Sequence, residues 1–169
     1  MHPSVLIADD HLQYASAIRS WLTPAYRVVG VAGDGQELVE MATREKPDLI
    51  VTDLSMPVMN GIDAMQALAE NGTSSRIIVL SMHAEISLAV LAFRSGASAY
   101  ILKIAMEEDL SPAMAAVQRD EFFLSPQFPC ELGTILTEAL GGAPSAVSSP
   151  LTHHQQRMLQ FVDSCRRST

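Results

Sequence analysis

The sequence has little cysteine and little positive charge, and both shortages narrow its range of functions. Its two cysteines, Cys130 and Cys165, lie in unrelated contexts without metal-ligand spacing. We therefore expect no structural disulfide and a reduced, cytosolic setting. Acidic residues outnumber Lys and Arg by 19 to 11, for a net charge of -8. This balance argues against a nucleic-acid surface, because DNA-binding proteins neutralise phosphates with clustered Lys and Arg.

The sequence also lacks long hydrophobic runs and a recognisable targeting segment. The N-terminus "MHPSVLIADD" has no basic region, and two acidic residues interrupt its apolar run. No stretch approaches the ~20 apolar residues that a membrane span requires, so we expect no membrane association. Apolar residues make up 48% and charged residues 18% of the chain, which is typical of a soluble globular protein.

Short apolar runs alternate with longer segments of helical periodicity. The predicted strands are residues 4–8, 26–32, 48–53, 76–81 and 97–103, and the predicted helices are residues 12–22, 35–46, 61–71, 84–96 and 106–120. Strands joined by crossover helices imply a parallel sheet covered on both faces. The pattern predicts an α/β, flavodoxin-like doubly wound (βα)5 fold with strand order 2-1-3-4-5. An all-helical fold is disfavoured because the apolar runs are short and β-branched.

Four of the five predicted strands finish on polar residues. Asp9 and Asp10 follow the first strand, Asp53 ends the third, Ser81 ends the fourth and Lys103 ends the fifth. In the order 2-1-3-4-5 these four strands are contiguous, so we expect their carboxyl ends to meet at one edge of the sheet. Each residue alone is commonly a cap or a solvated loop residue, but their coincidence at corresponding strand ends indicates a site.

The chemistry of these side chains predicts a metal and an anionic ligand. Three neighbouring carboxylates repel one another unless a cation lies among them. Oxygen ligands favour a hard divalent ion, and Mg²⁺ is the physiological choice. The lysine and the serine hydroxyl opposite the acids are suited to a phosphoryl group, and one carboxylate can itself be the phosphoryl acceptor.

Four segments carry a resemblance to a known family. "VLIADDH", "DLIVTDLSMPVMNGIDAM", "RIIVLSM" and "GASAYILK" resemble the motifs of response-regulator receiver domains, especially those with a LuxR/FixJ/NarL-type helix-turn-helix output. The resemblance covers residues 4–119 in order and spacing. It implies a two-component phosphorelay protein that receives a phosphoryl group on Asp53 from a sensor histidine kinase and can form a homodimer. It further implies Mg²⁺ ligated by Asp53, Asp10, Asp9 and the Ser55 backbone carbonyl.

The same resemblance assigns switch residues. Ser81 takes the place of the switch hydroxyl, Tyr100 that of the aromatic switch residue and Lys103 that of the phosphoryl-binding lysine. Ser55 and His83 lie where the family tunes the lifetime of the phosphoryl group. Phosphorylation would draw Ser81 toward the phosphoryl group and let Tyr100 rotate inward. In many receivers the residue after this lysine is Pro, and the peptide bond between the two is cis. Here the residue is Ile104, and the isomer of the Lys103–Ile104 peptide bond stays open.

The C-terminal third departs from the strand–helix pattern. We divide the chain into a receiver at residues 1–120, a linker with a short helix at residues 121–150, and residues 151–169, which resemble the first helix of a LuxR-type DNA-binding domain. No recognition helix follows it, so we expect no DNA binding from this chain alone. The apolar side of this remnant, with Met158 and Phe161, is expected to pack on the receiver or on a second chain.

Two alternative functions remain open at this point. The first is a pseudo-receiver that acts as a protein-interaction module without phosphorylation, although the complete polar set argues against it. The second is a haloacid-dehalogenase-like phosphatase, which also uses a strand-end aspartate and Mg²⁺. That chemistry requires a second aspartate two residues after the nucleophile, where this chain has Ser55.

Overall fold

The computed structural model describes residues 2–128, 153–154, 156–158 and 160–161. The strands are β1 Ser4–Ala8, β2 Arg27–Ala32, β3 Leu49–Asp53, β4 Arg76–Ser81, β5 Ala97–Leu102 and β6 Phe123–Leu124. The helices are α1 Leu12–Leu22, α2 Gly35–Glu45, α3 Gly61–Glu70, α4 Ile86–Arg94 and α5 Met106–Gln118. The short helix predicted within residues 121–150 and much of the 151–169 segment lie outside the described residues.

The strands form one parallel sheet in the order β2-β1-β3-β4-β5-β6, which confirms the predicted fold. Helices α2, α3 and α4 contribute to the apolar core on one face, and α1 and α5 contribute to the core on the other. β1 and β3 are buried along their whole length, because both faces of the central strands are covered. The carboxyl ends of β1, β3, β4 and β5 therefore lie side by side at one edge.

The sixth strand was not predicted from the sequence. Phe123 and Leu124 pair in parallel with Ala99 and Tyr100 of β5. A two-residue strand is too short to produce a periodic signal, so the sequence shows only the Phe pair. The sheet continues by one strand into residues that we had assigned to the linker.

Local sequence signals explain where the helices begin and end. Asp34 caps α2 by accepting a hydrogen bond from the Glu37 backbone N–H at 2.8 Å, as its position before the helix predicts. Gly72, with a φ of +70°, follows the C-cap of α3. The Lys103–Ile104 peptide is trans and begins a short 3₁₀ turn, Lys103–Ala105, that leads into α5. Within the described residues, no helix has the length and apolar character of a membrane span.

Candidate functional site

A buried lysine joins two carboxylates at the carboxyl edge of the sheet. The Nζ atom of Lys103 donates to Asp9 Oδ2 and to Asp53 Oδ2, each at 2.7 Å. All three side chains are at most 5% exposed. Since these residues are up to 94 positions apart in the chain, only the strand order brings them together. The structure thus places Asp9, Asp53 and Lys103 together, as the strand order predicts.

The lysine keeps its positive charge in this buried position. Burial alone disfavours the ammonium form, but the hydrogen bonds that Lys103 donates to Asp53 and Asp9, together with the charges of these carboxylates, outweigh that effect and raise the pKa of Lys103. The two carboxylates therefore share one cation, which offsets their mutual repulsion. A charge pair of this kind is costly to break on one side only, because the remaining charge stays buried and unpaired.

Four side chains at this edge are arranged as a candidate cation site. One potential ligand atom from each of Asp9, Asp10, His11 and Asp53 lies within 4.8 Å of the others. Asp10 and His11 are exposed, and His11 Nδ1 lies 2.9 Å from Asp10 Oδ1. Three carboxylates fit a hard divalent cation such as Mg²⁺ by their donor chemistry. His11 was not among the predicted site residues, although its place directly after the Asp pair is a signal that could have found it.

The loop after β3 holds Asp53 at the edge. Its Oδ1 atom accepts the backbone N–H groups of Leu54 at 2.7 Å and Ser55 at 3.3 Å. Gly61 donates to the Leu54 carbonyl at 2.9 Å, and a Cβ atom at Gly61 would lie 2.3 Å from the Asp53 carbonyl oxygen. Asn60 caps α3 by accepting from the Asp63 N–H. Glycine at the end of the "MNG" turn therefore allows the backbone to pack closely behind Asp53.

The structure brings the predicted switch and tuning residues into one hydrogen-bonded group. Ser81 is fully buried, and its hydroxyl accepts the His83 backbone N–H at 3.1 Å. The His83 ring nitrogen Nε2 lies 3.3 Å from the hydroxyl of Ser55. Ser55 and His83 come from different loops, so their contact was not readable from the sequence. The metal-binding role of the Ser55 carbonyl stays a prediction.

Tyr100 is fully buried and contacts two separate parts of the molecule. Its hydroxyl donates to the His83 backbone carbonyl at 2.8 Å, and burial raises the pKa of the phenol. Its ring packs edge-to-face against Phe128, with 5.4 Å between ring centroids. We expected phosphorylation to let this ring rotate inward; here it is already inside, where the hydroxyl bond and the Phe128 ring hold it.

A second tyrosine, which was not among the predicted site residues, lies against Lys103. The Tyr14 ring centroid is 4.4 Å from Lys103 Nζ. Tyr14 belongs to the first turn of α1, four residues after Asp10. That spacing places it beside the carboxyl edge, and this is the signal that could have found it.

The described C-terminal residues pack on the receiver. Met158 is fully buried within the core cluster of α2, α3 and α4. His154 Nε2 lies 3.2 Å from the Phe93 carbonyl, and Arg157 is 3.5 Å from Asp120. This apolar segment was predicted to pack on the receiver or on a second chain, and the structure shows the contact with the receiver. His153 is exposed, and among the described residues it joins no group of potential metal ligands.

The comparison with family profiles decides the assignment. The profile described as "Response regulator receiver domain" matches residues 5–115. The chain belongs to this family. Among curated relatives, the nitrate/nitrite response regulator protein NarL of Escherichia coli is 36% identical over 124 residues, which cover 72% of this chain and 57% of NarL. The transcriptional regulatory protein DegU of Brevibacillus brevis is 30% identical over 125 residues, which cover 73% of this chain and 53% of DegU. The receiver is thus of the NarL/LuxR type, and the chain spans about half the length of these relatives.

Solved receiver structures share its fold. A LuxR-family two-component response regulator from Aurantimonas sp. SI85-9A1 superposes with a TM-score of 0.74 at 28% identity, over 80% of this chain and 98% of that one. The isolated receiver domain of RcsB from Salmonella enterica, solved with the phosphomimetic BeF3-, gives a TM-score of 0.69 at 28% identity, over 75% of this chain and 95% of that one.

Proposed function

We propose that this receiver accepts a phosphoryl group on Asp53 from a sensor histidine kinase in the cytoplasm, and that the modification changes its conformation or association to control transcription. The observation that carries the proposal is the Lys103 ammonium shared between Asp53 and Asp9 at the carboxyl edge of the sheet. A phosphoryl group bound to Asp53 would meet a cation already in place beside it. The protein is on this account a signalling switch that takes part in its own phosphoryl transfer.

The side chains suggest how the transfer proceeds. An oxygen of the Asp53 carboxylate attacks the phosphorus of the donor, and the bond between phosphorus and the donor atom breaks as the leaving group departs with its electron pair. The backbone N–H groups of Leu54 and Ser55 already hold Oδ1. Lys103 exchanges part of its contact with the carboxylates for a contact with the phosphoryl oxygens.

A divalent cation fits the neighbouring donors. Asp9, Asp10 and Asp53, with the Ser55 backbone carbonyl, are the groups that we propose hold Mg²⁺, and His11 lies within the same cluster. When bound, the ion neutralises negative charge on the carboxylates and on the phosphoryl group. The protein's own residues supply the acceptor, the lysine and the backbone donors.

The switch response would run through the loop after β4. The Ser81 hydroxyl accepts a hydrogen bond from the His83 backbone N–H. The His83 backbone carbonyl in turn accepts one from the Tyr100 hydroxyl. A phosphoryl oxygen would compete for the Ser81 hydroxyl and so shift this loop, which alters the partner of the Tyr100 hydroxyl. The phosphoryl group would thereby bias two states of the surface formed by α4, β5 and α5.

Four exposed apolar side chains come after strands that end at the carboxyl edge of the sheet. Leu12, Val58, Met82 and Ile104 each follow one of the strands β1, β3, β4 and β5. A sensor kinase that presents a phosphohistidine to Asp53 would cover them, which fits their exposure. Homodimerisation and transcriptional output belong to the proposal as well.

The test is phosphorylation by a small acyl-phosphate donor with Mg²⁺, followed by the intact mass of the protein. We expect one phosphoryl adduct in the wild-type protein and none in Asp53→Asn. The exposed Asp63 provides the matched control, and Asp63→Asn should label like the wild type. If neither a small donor nor a sensor kinase produces an adduct, the proposal fails and the pseudo-receiver becomes the better account.

A further inference from the structure

The side of the Lys103 ammonium that the carboxylates leave free is occupied by an aromatic ring. Two of its three N–H donors are taken up by Asp9 and Asp53. The Tyr14 ring centroid lies 4.4 Å from Nζ, inside the ~6 Å range in which a ring face attracts a cation. The lysine side chain is 2% exposed, so this attraction acts on a desolvated ammonium. A desolvated pair is the stronger form of this interaction.

Contacts on both sides hold the Tyr14 ring in place. The His11 ring meets it edge-on, with 6.2 Å between centroids and an interplanar angle of 84°. The Tyr14 hydroxyl lies 4.0 Å from the Met82 sulfur in the loop after β4. The ring therefore spans from the acidic loop after β1 to the loop after β4, across the lysine.

Removal of the ring would open the lysine to water. A cavity of about 440 Å³ adjoins the site and is lined by Tyr14, Lys103, Ile104 and Gln127, among others. Glu107 and Glu108 also line this cavity, so loss of the Tyr14 ring would expose the Lys103 ammonium to two further carboxylates. Two carboxylates that could compete with Asp53 for the Lys103 ammonium thus border the same cavity as the Tyr14 ring.

We propose that Tyr14 is a positioning residue for phosphoryl transfer, whose ring face keeps the Lys103 ammonium aimed at Asp53. This inference rests on the proposed function, since it concerns how quickly Asp53 gains a phosphoryl group. The ring itself touches neither the donor nor the reacting atoms. Its contribution is electrostatic, so it depends on the electron density of the ring face and not on its volume alone.

Three variants separate these contributions. Tyr14→Phe keeps the ring and removes only the hydroxyl near Met82. Tyr14→Leu keeps apolar bulk without a ring face. 3,4,5-Trifluorophenylalanine at position 14 keeps a ring but withdraws electron density from its face. The rate of phosphorylation by acetyl phosphate with Mg²⁺ is measured for each. We expect the Phe variant to remain within about twofold of wild type, and the Leu and trifluoro variants to be slower by roughly three- to tenfold.

A second measurement does not require phosphorylation. The Lys103 side-chain protons should show ring-current shifts in NMR spectra of the wild-type, Phe and trifluoro proteins, and these shifts should vanish in the Leu variant. If all three variants take up phosphate at the wild-type rate, or if the trifluoro protein matches Phe while only Leu is slow, the electrostatic role is overturned. If the wild type takes up no phosphate at all, it is the proposed function that fails, and the NMR result then shows whether the ring lies on the lysine.

Discussion

Buried carboxylates are held in opposite ways at the carboxyl edge of the sheet and beside the β6 segment, residues 122–128. At the edge, Asp53 and Asp9 share the single ammonium of Lys103. In the β6 segment the Ser125 hydroxyl donates to the buried Asp109 on α5 and accepts the Leu102 N–H at 3.1 Å. The first group can exchange partners when an anion or a cation enters. In the second, the Ser125 hydroxyl both donates and accepts a hydrogen bond within the protein, an arrangement that is suited to hold structure.

Tyr100 connects the two regions. Its hydroxyl bonds the loop after β4, its ring packs on Phe128, and its carbonyl accepts the Ser125 N–H at 3.0 Å. A change at the phosphoryl site thus has a physical path into the β6 segment through one residue. The contrast between an exchangeable region at the carboxyl edge and the β6 segment is therefore open to test by substitutions on each side.

The largest effect is expected where the exchangeable pair is broken. Lys103→Met leaves Asp9 and Asp53 buried side by side without their cation, and we expect the free energy of unfolding to fall by about 3 kcal/mol at neutral pH without divalent metal. Chemical denaturation measures the change. Added Mg²⁺ should restore more stability to this variant than to the wild type. Lys46→Met, at an exposed lysine, is the control and should change stability by less than about 0.5 kcal/mol.

The β6 segment should lose less. Ser125→Ala removes the partner of both the Asp109 carboxyl and the Leu102 N–H, and we expect a loss of about 2 kcal/mol, the usual cost of unsatisfied buried polar groups. Here Mg²⁺ should make no difference. A double-mutant cycle with Asp109→Ala should give a clear coupling energy. Additive effects would mean that the Ser125–Asp109 bond does not hold the segment.

The aromatic contact between Tyr100 and Phe128 should contribute less to the free energy of unfolding than the Ser125–Asp109 hydrogen bond. Phe128→Leu keeps apolar volume but removes the edge-to-face pair with Tyr100, and we expect a loss of about 1 kcal/mol. Hydrogen exchange at β5 and β6 should rise in this variant. Phe123→Leu, at the half-buried β6 position, is the comparison. An equal loss of stability in both variants would remove the special role of the Tyr100 pair.

The smallest effect concerns pH and the described C-terminal residues. Burial lowers the pKa of His154 below its ordinary 6.5; its hydrogen bond to the Phe93 carbonyl opposes this shift, and nearby Arg157 adds to it. Because the folded pKa is depressed, the stabilisation is present above pH 6.5 and is lost as the pH falls through the folded value. The hydrogen-exchange protection factors of residues 153–154 and 156–158, corrected for the intrinsic exchange rate at each pH, should therefore fall from pH 7 to pH 5. His154→Gln should flatten this dependence, and an unchanged slope in that variant would contradict the assignment.

Strand order and the strand-end residues were accessible from sequence because buried parallel strands and crossover helices leave strong periodic signals. All five predicted strands and all five predicted helices are found within a few residues of their predicted bounds. The placement of Asp9, Asp53 and Lys103 followed from topology alone. β6 did not, because two residues carry no period, and neither did the contacts of Tyr14 with Lys103 or of Ser55 with His83. Those depend on side-chain directions between segments far apart in the chain, which composition and spacing do not encode.

The central claim is that the exchangeable region receives the phosphoryl group on Asp53 itself. The most direct measurement is to phosphorylate the protein with acetyl phosphate and Mg²⁺, reduce the aspartyl phosphate with borohydride, and locate the resulting homoserine by peptide mass spectrometry. The account predicts homoserine at position 53 alone, with Asp9 and Asp10 unmodified. Homoserine at position 9 or 10, or a phosphoryl adduct that persists in Asp53→Asn, would contradict it.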